Sequence, residues 1–594
     1  MRIALLTEGG CPTAESVDGG WCDRLTQGLP EHEFEMYALG AERREPTPQR
    51  LPARLTAVHH STPAAAVLHG RARRRALAAY RSLVRSLVDP GASGEFGAAL
   101  YALADAGRGG GLPALLRSGA ALRALETAWQ APGAMGAAGS GAAAEPQARD
   151  VLVAGDLLAH FLRALSAPWY QPEPVEARSR GWSPDRLPAR LLPGRSPRSA
   201  GLAAADVCHA LGGGTAVLPG LLAKHFYGIP LIITEHSLHL RERARGYRDS
   251  PYRRPVRALL LTFFRLLARE AYQQAALITP GSSYDQRWQI YNGADPATVR
   301  VVREGTPSAD RPAAGPEPEV PALVWFGSIE PQQGLQTALL ALAELREREE
   351  HRTLRLLVHG SAPAGAEAHA EHCRTLAAEL FPGDPDQPEA VVFESGPVGP
   401  GAASARGTLT LFSGTSGVPP KLIAEAMLSG RPVVAADVGA AREVVGPTGL
   451  LVPPDDPQAL ATACAALLVD AERRSRLGNA GRLRAQELYA VEPAATAFRG
   501  LYLEIVSRQP EPEQLRSAAS VRRLFGRPAE TWVAAERPPS WLSELHRITP
   551  SGPVGPPSES RTARASRTAG PGFTAVPTRA AVPVGVAVDA GAAG

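Results

Sequence analysis

Between Ser413 and Gly439 the chain reads SGTSGVPPKLIAEAMLSGRPVVAADVG. Its outline is a loop, a short helix, a glycine turn and a buried strand, with Glu425 the single carboxylate in the loop and helix. Pro419 and Pro420 suit a first helical turn, where a missing N–H is no loss. Free amides and the dipole at such a start form an anion site, and Lys421 adds a positive charge there. A nucleotide diphosphate has the chemistry to fill it. The plainer reading of Glu425 is a partly buried acid bonded to a neighbouring amide.

These residues need a scaffold, and the chain alternates as an α/β scaffold should. The run 3–7 reads as a first parallel strand with a glycine-rich exit, a helix begins near Gly19-Gly20, and 34–40 reads as a second strand. Helical stretches at 73–88 and 113–128 follow, then an Ala/Gly-rich insert at 132–149 that reads as a flexible loop. From 206 the order is strand, glycine loop, helix and the strand PLIITEH, then a long helix over 253–274, a strand into 276–288 and a strand over 299–305. Pro and Glu crowd a linker at 311–321, and a second alternation runs from the strand at 323 to the strand GLLVPP at 449–454. The expected architecture is two doubly wound Rossmann-like domains, residues 1–310 and 322–507, facing a cleft, with 508–594 mostly a disordered tail. Trp532 and Trp541 read as anchors for a short piece of that tail. In open α/β sheets ligands sit outside the carboxyl ends of the strands, so the cleft is where chemistry belongs.

Composition narrows the function classes. The 594 residues are 44% apolar and 21% charged, an ordinary globular balance, with a formal net charge of +4. That charge is too mild to argue for nucleic acid. Five cysteines (Cys11, Cys22, Cys208, Cys373 and Cys464) show no metal spacing, so no metal is expected, and reduced thiols in a cytoplasmic protein fit them. The apolar run 256–268 reads as a buried helix, and the arginine-rich runs at 71–81 and 241–248 read as solvated helix faces.

The stretch SGVPPKLIAEAMLSGRPVVAADVGAAREVVGPTGLLVPPDDPQALA (416–461) resembles the donor-site segment of retaining GT-B glycosyltransferases of family four, a likeness running over 322–505. The stretches LLTEGGCP, GGWCDRL, LIITEHSLHLRERARGYR and LITPGSSYDQRWQIYNGADP resemble the long N-terminal domain of the Pel-exopolysaccharide glycosyltransferase and its actinobacterial relatives. The resemblance implies sugar transfer from a nucleotide-sugar donor, UDP-linked, to a glycan, lipid or metabolite, without a cofactor. Partners would be the donor, an acceptor, and a partner glycosyltransferase or membrane-associated assembly, with no nucleic acid. By the same resemblance Glu425 bonds the donor ribose, His236 lies near donor sugar and acceptor, and Gly19-Gly20 lets backbone approach phosphates or acceptor.

The chain departs from that pattern at four polar positions. The family acid eight residues before Glu425 is Gly417 here. Gly327 is kept, but the family Arg and Lys that neutralise the leaving diphosphate stand as Ser328 and Gln333. The usual Asn-Gly after the last strand of the first domain is Glu304-Gly305. Losing one preorganised donor costs about 2.7–4 kcal/mol in other enzymes. A second reading follows, in which the chain is a degenerate, binding-only relative of the transferases. A sugar-nucleotide epimerase has no supporting motif.

Overall fold

The computed structural model describes residues 1–8, 17–39, 55–60, 66–131, 133–134, 146–170, 201–247, 250–306, 312–382, 389–394, 396 and 398–508. Most of the insert at 132–149, the glycine-rich exit after residue 8, and the tail with Trp532 and Trp541 lie outside them.

Two all-parallel six-stranded sheets form the body. The first comprises β1 (Arg2–Thr7), β2 (Glu33–Ala38), β3 (Leu55–His60), β4 (Val207–Leu211), β5 (Leu231–Glu235) and β6 (Leu277–Pro280), in the order β3-β2-β1-β4-β5-β6. The second comprises β7 (Ala322–Phe326), β8 (Arg355–His359), β9 (Val391–Glu394), β10 (Leu409–Phe412), β11 (Val433–Ala436) and β12 (Leu450–Val452), in the order β12-β11-β10-β7-β8-β9. Read from the β9 edge, the second order repeats the first. Each sheet therefore reverses direction once, between β1 and β4 and between β7 and β10, and those switch points are where doubly wound sheets bind ligands.

Both faces of each sheet are covered. Along β1, Ile3 and Leu5 join Trp21, Cys22 and Leu25 of the helix Val17–Gly28 on one side. Ala4 and Leu6 join the helices Gly70–Val88, Phe96–Gly107 and Arg254–Gln274 on the other. Alternate residues of a strand face opposite ways, so this near-continuous apolar run is what a doubly covered parallel strand requires. Buried Val256, Leu259, Leu260, Phe263, Phe264 and Leu267 make the 256–268 run a core helix, as its composition predicts.

Three features depart from the sequence reading. The segment 299–305 carries an isolated bridge, Val299 to Ile278, and two hydrogen bonds, from the Arg300 and Val302 amides to the carbonyls of Ile278 and Pro280, in place of a full strand. β3 and the helix Ala148–Phe161 are elements that the sequence reading does not assign. The helix Val491–Arg508, which sequence assigns to the second half, packs Phe498, Tyr502 and Ile505 into the core of the first. Tyr502 reaches buried His209 there, 2.6 Å from its Nδ1. The linker is held to the second half: Arg431 donates to the carbonyls of Gly315 and Pro316, and Glu317 pairs with Arg474 at 2.6 Å.

Candidate functional site

The loops leaving β7 and β10 meet at the second switch point. Gly334 has φ +74°, and a Cβ there would stand 2.2 Å from the Ser413 carbonyl oxygen. Only glycine tolerates both the conformation and the approach. Trp325 Nε1 donates to Ser413 Oγ at 3.2 Å, and that hydroxyl donates to the Gly334 carbonyl at 2.6 Å, tying the loops together. Gly327 and Gln333 belong to this loop pair, and Ser328 Oγ donates to the Glu330 carboxylate at 2.8 Å. Neither Ser328 nor Gln333 brings a charge. Ser328 spends its hydroxyl within its own loop.

The helix Pro420–Met427 starts just beyond β10, with no side-chain cap and with proline at its first position. The two prolines remove two amides, so fewer N–H groups face outward than a helix start usually offers. The amide of Lys421 meets no acceptor among the described residues. Lys421 and Glu425, four residues apart, share one helical face. That face turns toward the first half. Lys421 Nζ lies 3.2 Å from Glu304 Oε1, and Glu425 Oε1 accepts a 3.3 Å hydrogen bond from Thr306. Burial raises the Glu425 carboxyl above its ordinary range, with Lys421 opposing the shift.

The extended segment 299–306 is the partner of that face. Gly305 passes so close to the backbone of Val491 that a Cβ would stand 2.5 Å from its Cα. The Thr306 amide donates to the Tyr489 carbonyl at 2.7 Å. So fixed, the segment sends Arg303 to Glu443 at 3.0 Å, Glu304 to Lys421, and Thr306 to Glu425. Glu304 Oε1 also accepts from Arg24 Nη2 at 2.6 Å, and its Oε2 lies 3.9 Å from His236 Nδ1. Arg24, on the helix Val17–Gly28, is 15% exposed on its side chain, and Glu304 is 10% exposed.

A second strap crosses nearby. On the helix His239–Gly246, Arg241 and Arg245 both donate to the Ser416 carbonyl, while Arg243 pairs with Glu8 at the end of β1. Two arginines of the run, Arg241 and Arg245, thus join the halves, while Glu242 and Ala244 stay exposed. Gly417 sits at φ +73°, with its Cβ position 3.2 Å from the Gly439 Cα and 3.4 Å from Arg241 Nη2. Where the resemblance calls for an acid, the chain has a left-handed glycine under an arginine. Glu235, beside His236, is fully enclosed and held by Tyr272, Gln289 and the His239 amide, a structural network whose burial raises its carboxyl.

The structure thus brings together His236, Lys421 and Glu425 around Glu304 and Thr306, and leaves Ser328 and Gln333 in a loop whose hydrogen bonds, among the described residues, stay within the second half. Gly19 and Gly20 lie in the first turn of the helix Val17–Gly28, close to the helix start that the sequence suggests. Trp21, the next residue, packs edge-on to His236 with ring centroids 5.1 Å apart. Sequence reasoning missed Arg24 and Thr306 and took Glu304 only as a departure. Arg24 had a signal: it lies four residues after Gly20, one turn along the same helix. Among the described residues no cluster of three or more His, Cys, Asp or Glu could hold a metal ion.

Comparison with known proteins bears on the family and the fold. Residues 320–470 match the model for glycosyl transferases group 1, and residues 1–170 and 196–297 match a domain of unknown function, DUF3492. The D-inositol 3-phosphate glycosyltransferase of Corynebacterium efficiens is 31% identical over 314 residues, spanning 49% of this chain and 69% of that relative. The glycogen synthase of Mycobacterium tuberculosis is 27% identical over 303 residues, spanning 50% of this chain and 68% of that relative. In fold, sucrose-phosphate synthase from Thermosynechococcus elongatus superposes with a TM-score of 0.50 at 16% identity, covering 86% of this chain and 100% of that one.

Proposed function

The chain belongs to the group 1 glycosyltransferases, which use nucleotide-sugar donors, and on that premise we propose that it transfers a sugar from a UDP-linked donor to a glycan, lipid or metabolite with retained anomeric configuration. In the transfer the bond between the anomeric carbon and the diphosphate oxygen breaks. The acceptor hydroxyl oxygen bonds to that carbon, its proton leaves, and the diphosphate carries away the negative charge. Fixed cations act where that charge develops.

The observation that carries the reading is the shared face of Lys421 and Glu425, turned to the first half at the carboxyl end of β10. Lys421 meets the diphosphate, Glu425 the ribose hydroxyls, and His236 lies on the sugar and acceptor side. Relatives of similar likeness carry names with different acceptors, inositol phosphate and glycogen, so those names do not choose an acceptor. The likeness of the first half to exopolysaccharide transferases supports a growing polysaccharide in the cytoplasm, assembled beside a partner transferase. A binding-only chain is the second reading. It is favoured by the uncharged Ser328 and Gln333 and by the carboxylate already on Lys421.

The test is turnover. The full chain is incubated with UDP-, GDP- and ADP-sugars, nucleotide release is followed, and the anomer of any product is read by NMR. The expected result is slow UDP release from a UDP-sugar and a product of unchanged configuration. Nucleotide binding without release with any acceptor extract would support the binding-only chain, and inverted product would refute retention.

A further inference from the structure

The resemblance leaves a gap: the positions that normally neutralise a leaving diphosphate hold Ser328 and Gln333. The structure supplies two other cations at the junction of the halves. Arg24 comes from the first half and Lys421 from the second, and both touch one carboxylate oxygen of Glu304, at 2.6 and 3.2 Å. An oxygen shared by a guanidinium and an ammonium is how a phosphate oxygen would be held. Arg24 also has capacity left, since its buried Nε meets no hydrogen-bond partner among the described residues.

Charge decides what this arrangement does. Arg24 and Lys421 contribute two positive charges, and Glu304 and Glu425 two negative, so the cluster sums to zero. A diphosphate arriving at a neutral cluster gains little, and it would face the Glu304 carboxylate directly. With Glu304 withdrawn the same cations present net positive charge to it. The carboxylate is covalently tethered through an extended segment locked at Gly305 and Thr306, so it returns when the anion leaves.

The geometry points to Arg24 and Lys421 as the cation pair that neutralises the leaving diphosphate, with Glu304 as the tethered anion holding them together until the donor phosphates displace it. This rests on the nucleotide-sugar reading above and adds its leaving-group residues, one of them from the opposite half. Arg24 and Lys421 touch the diphosphate; Glu304 is a positioning residue.

The test is a set of calorimetric titrations on the full chain with UDP, uridine and inorganic pyrophosphate. The variants are Glu304→Gln, Arg24→Gln and the double change, with Glu304→Asp as the variant that keeps the charge. Melting curves check that each is folded. Glu304→Gln should bind UDP and pyrophosphate at least tenfold tighter, with uridine unchanged, because uridine carries no phosphate. Adding Arg24→Gln should remove that gain, and Glu304→Asp should stay near the native chain. Equal UDP affinity in all forms, or uridine moving in step with UDP, overturns the displaced-anion account and leaves the nucleotide reading in place. Pyrophosphate tightening without any uridine or UDP binding would keep the cradle and sink the nucleotide reading. No binding of any probe by any folded variant sinks both.

Discussion

Replacing Glu425 with alanine separates the ribose contact from the phosphate contact. In the free protein this carboxylate is lightly engaged, with one hydrogen bond from Thr306 at a long 3.3 Å. Its carboxyl is raised by burial, so the protein holds the charge at some cost. Removing it should therefore change stability little, within roughly 1 kcal/mol. Bound nucleotide is different, because hydrogen bonds to a charged acceptor contribute about 1.5–3 kcal/mol, or roughly 10- to 150-fold in Kd. Calorimetry with UDP, uridine and pyrophosphate reads the effect. Uridine should weaken by that factor, while UDP should weaken less and pyrophosphate should not weaken, because without the Glu425 carboxylate the cluster of Arg24, Lys421 and Glu304 carries net positive charge. The factor should also vanish with 2′,3′-dideoxyuridine, which offers no hydroxyls. A loss confined to pyrophosphate, or none for uridine, would refute the assignment of Glu425 to the ribose.

Three further outcomes follow from particular contacts. Burial pushes the Asp285 carboxyl up from 3.8 to about 6; the unfolded chain ionises first, so stability falls as pH rises from about 4 to 6, by on the order of 3 kcal/mol. Asp285→Asn keeps an acceptor for Ser282 and escapes that fall, so its urea midpoint should gain on the native chain across that window; parallel curves would contradict this. Tyr502→Phe strips buried His209 of its Nδ1 partner, and should lower stability by about 1–3 kcal/mol in denaturant melts. Gly417→Ala places a Cβ at φ +73° against Gly439, so it should destabilise by about 1–2 kcal/mol, and a neutral melting temperature would show the loop relaxes freely.

What sequence revealed and what it hid follow from range. The short apolar runs of β1, β7 and β10 and the helical period of Arg254–Gln274 are local, and their patterns mark them plainly. Pro419-Pro420 and Glu425 placed the helix start for the same reason. The segment 299–305 looks like a strand because Val299, Val301 and Val302 are β-branched, yet its pairing with β6 stops at the amides of Arg300 and Val302, which donate to Ile278 and Pro280, and no ladder forms. The destination of the helix Val491–Arg508 was hidden as well: its apolar face shows burial, not which half it is buried against. Arg24 and Glu304 are 280 residues apart, and Glu304 and Lys421 are joined only across the halves. Ion pairing at that separation leaves no local pattern. Glu304 was visible only as an acid where the resemblance calls for an amide, and the meaning of that change needed the positions of both cations. Gly417 is the reverse case: a missing acid in the sequence becomes, in the structure, a backbone position that a side chain would strain.

The central claim is that a nucleotide diphosphate sits at the start of the helix Pro420–Met427, between Lys421 and the first half. A crystal structure of the full chain with UDP tests it most directly. Phosphate oxygens should lie at Lys421 and Arg24, the ribose at Glu425, and Glu304 should be turned out of their reach. UDP bound elsewhere, with Glu304 still bridging Arg24 and Lys421, would contradict it.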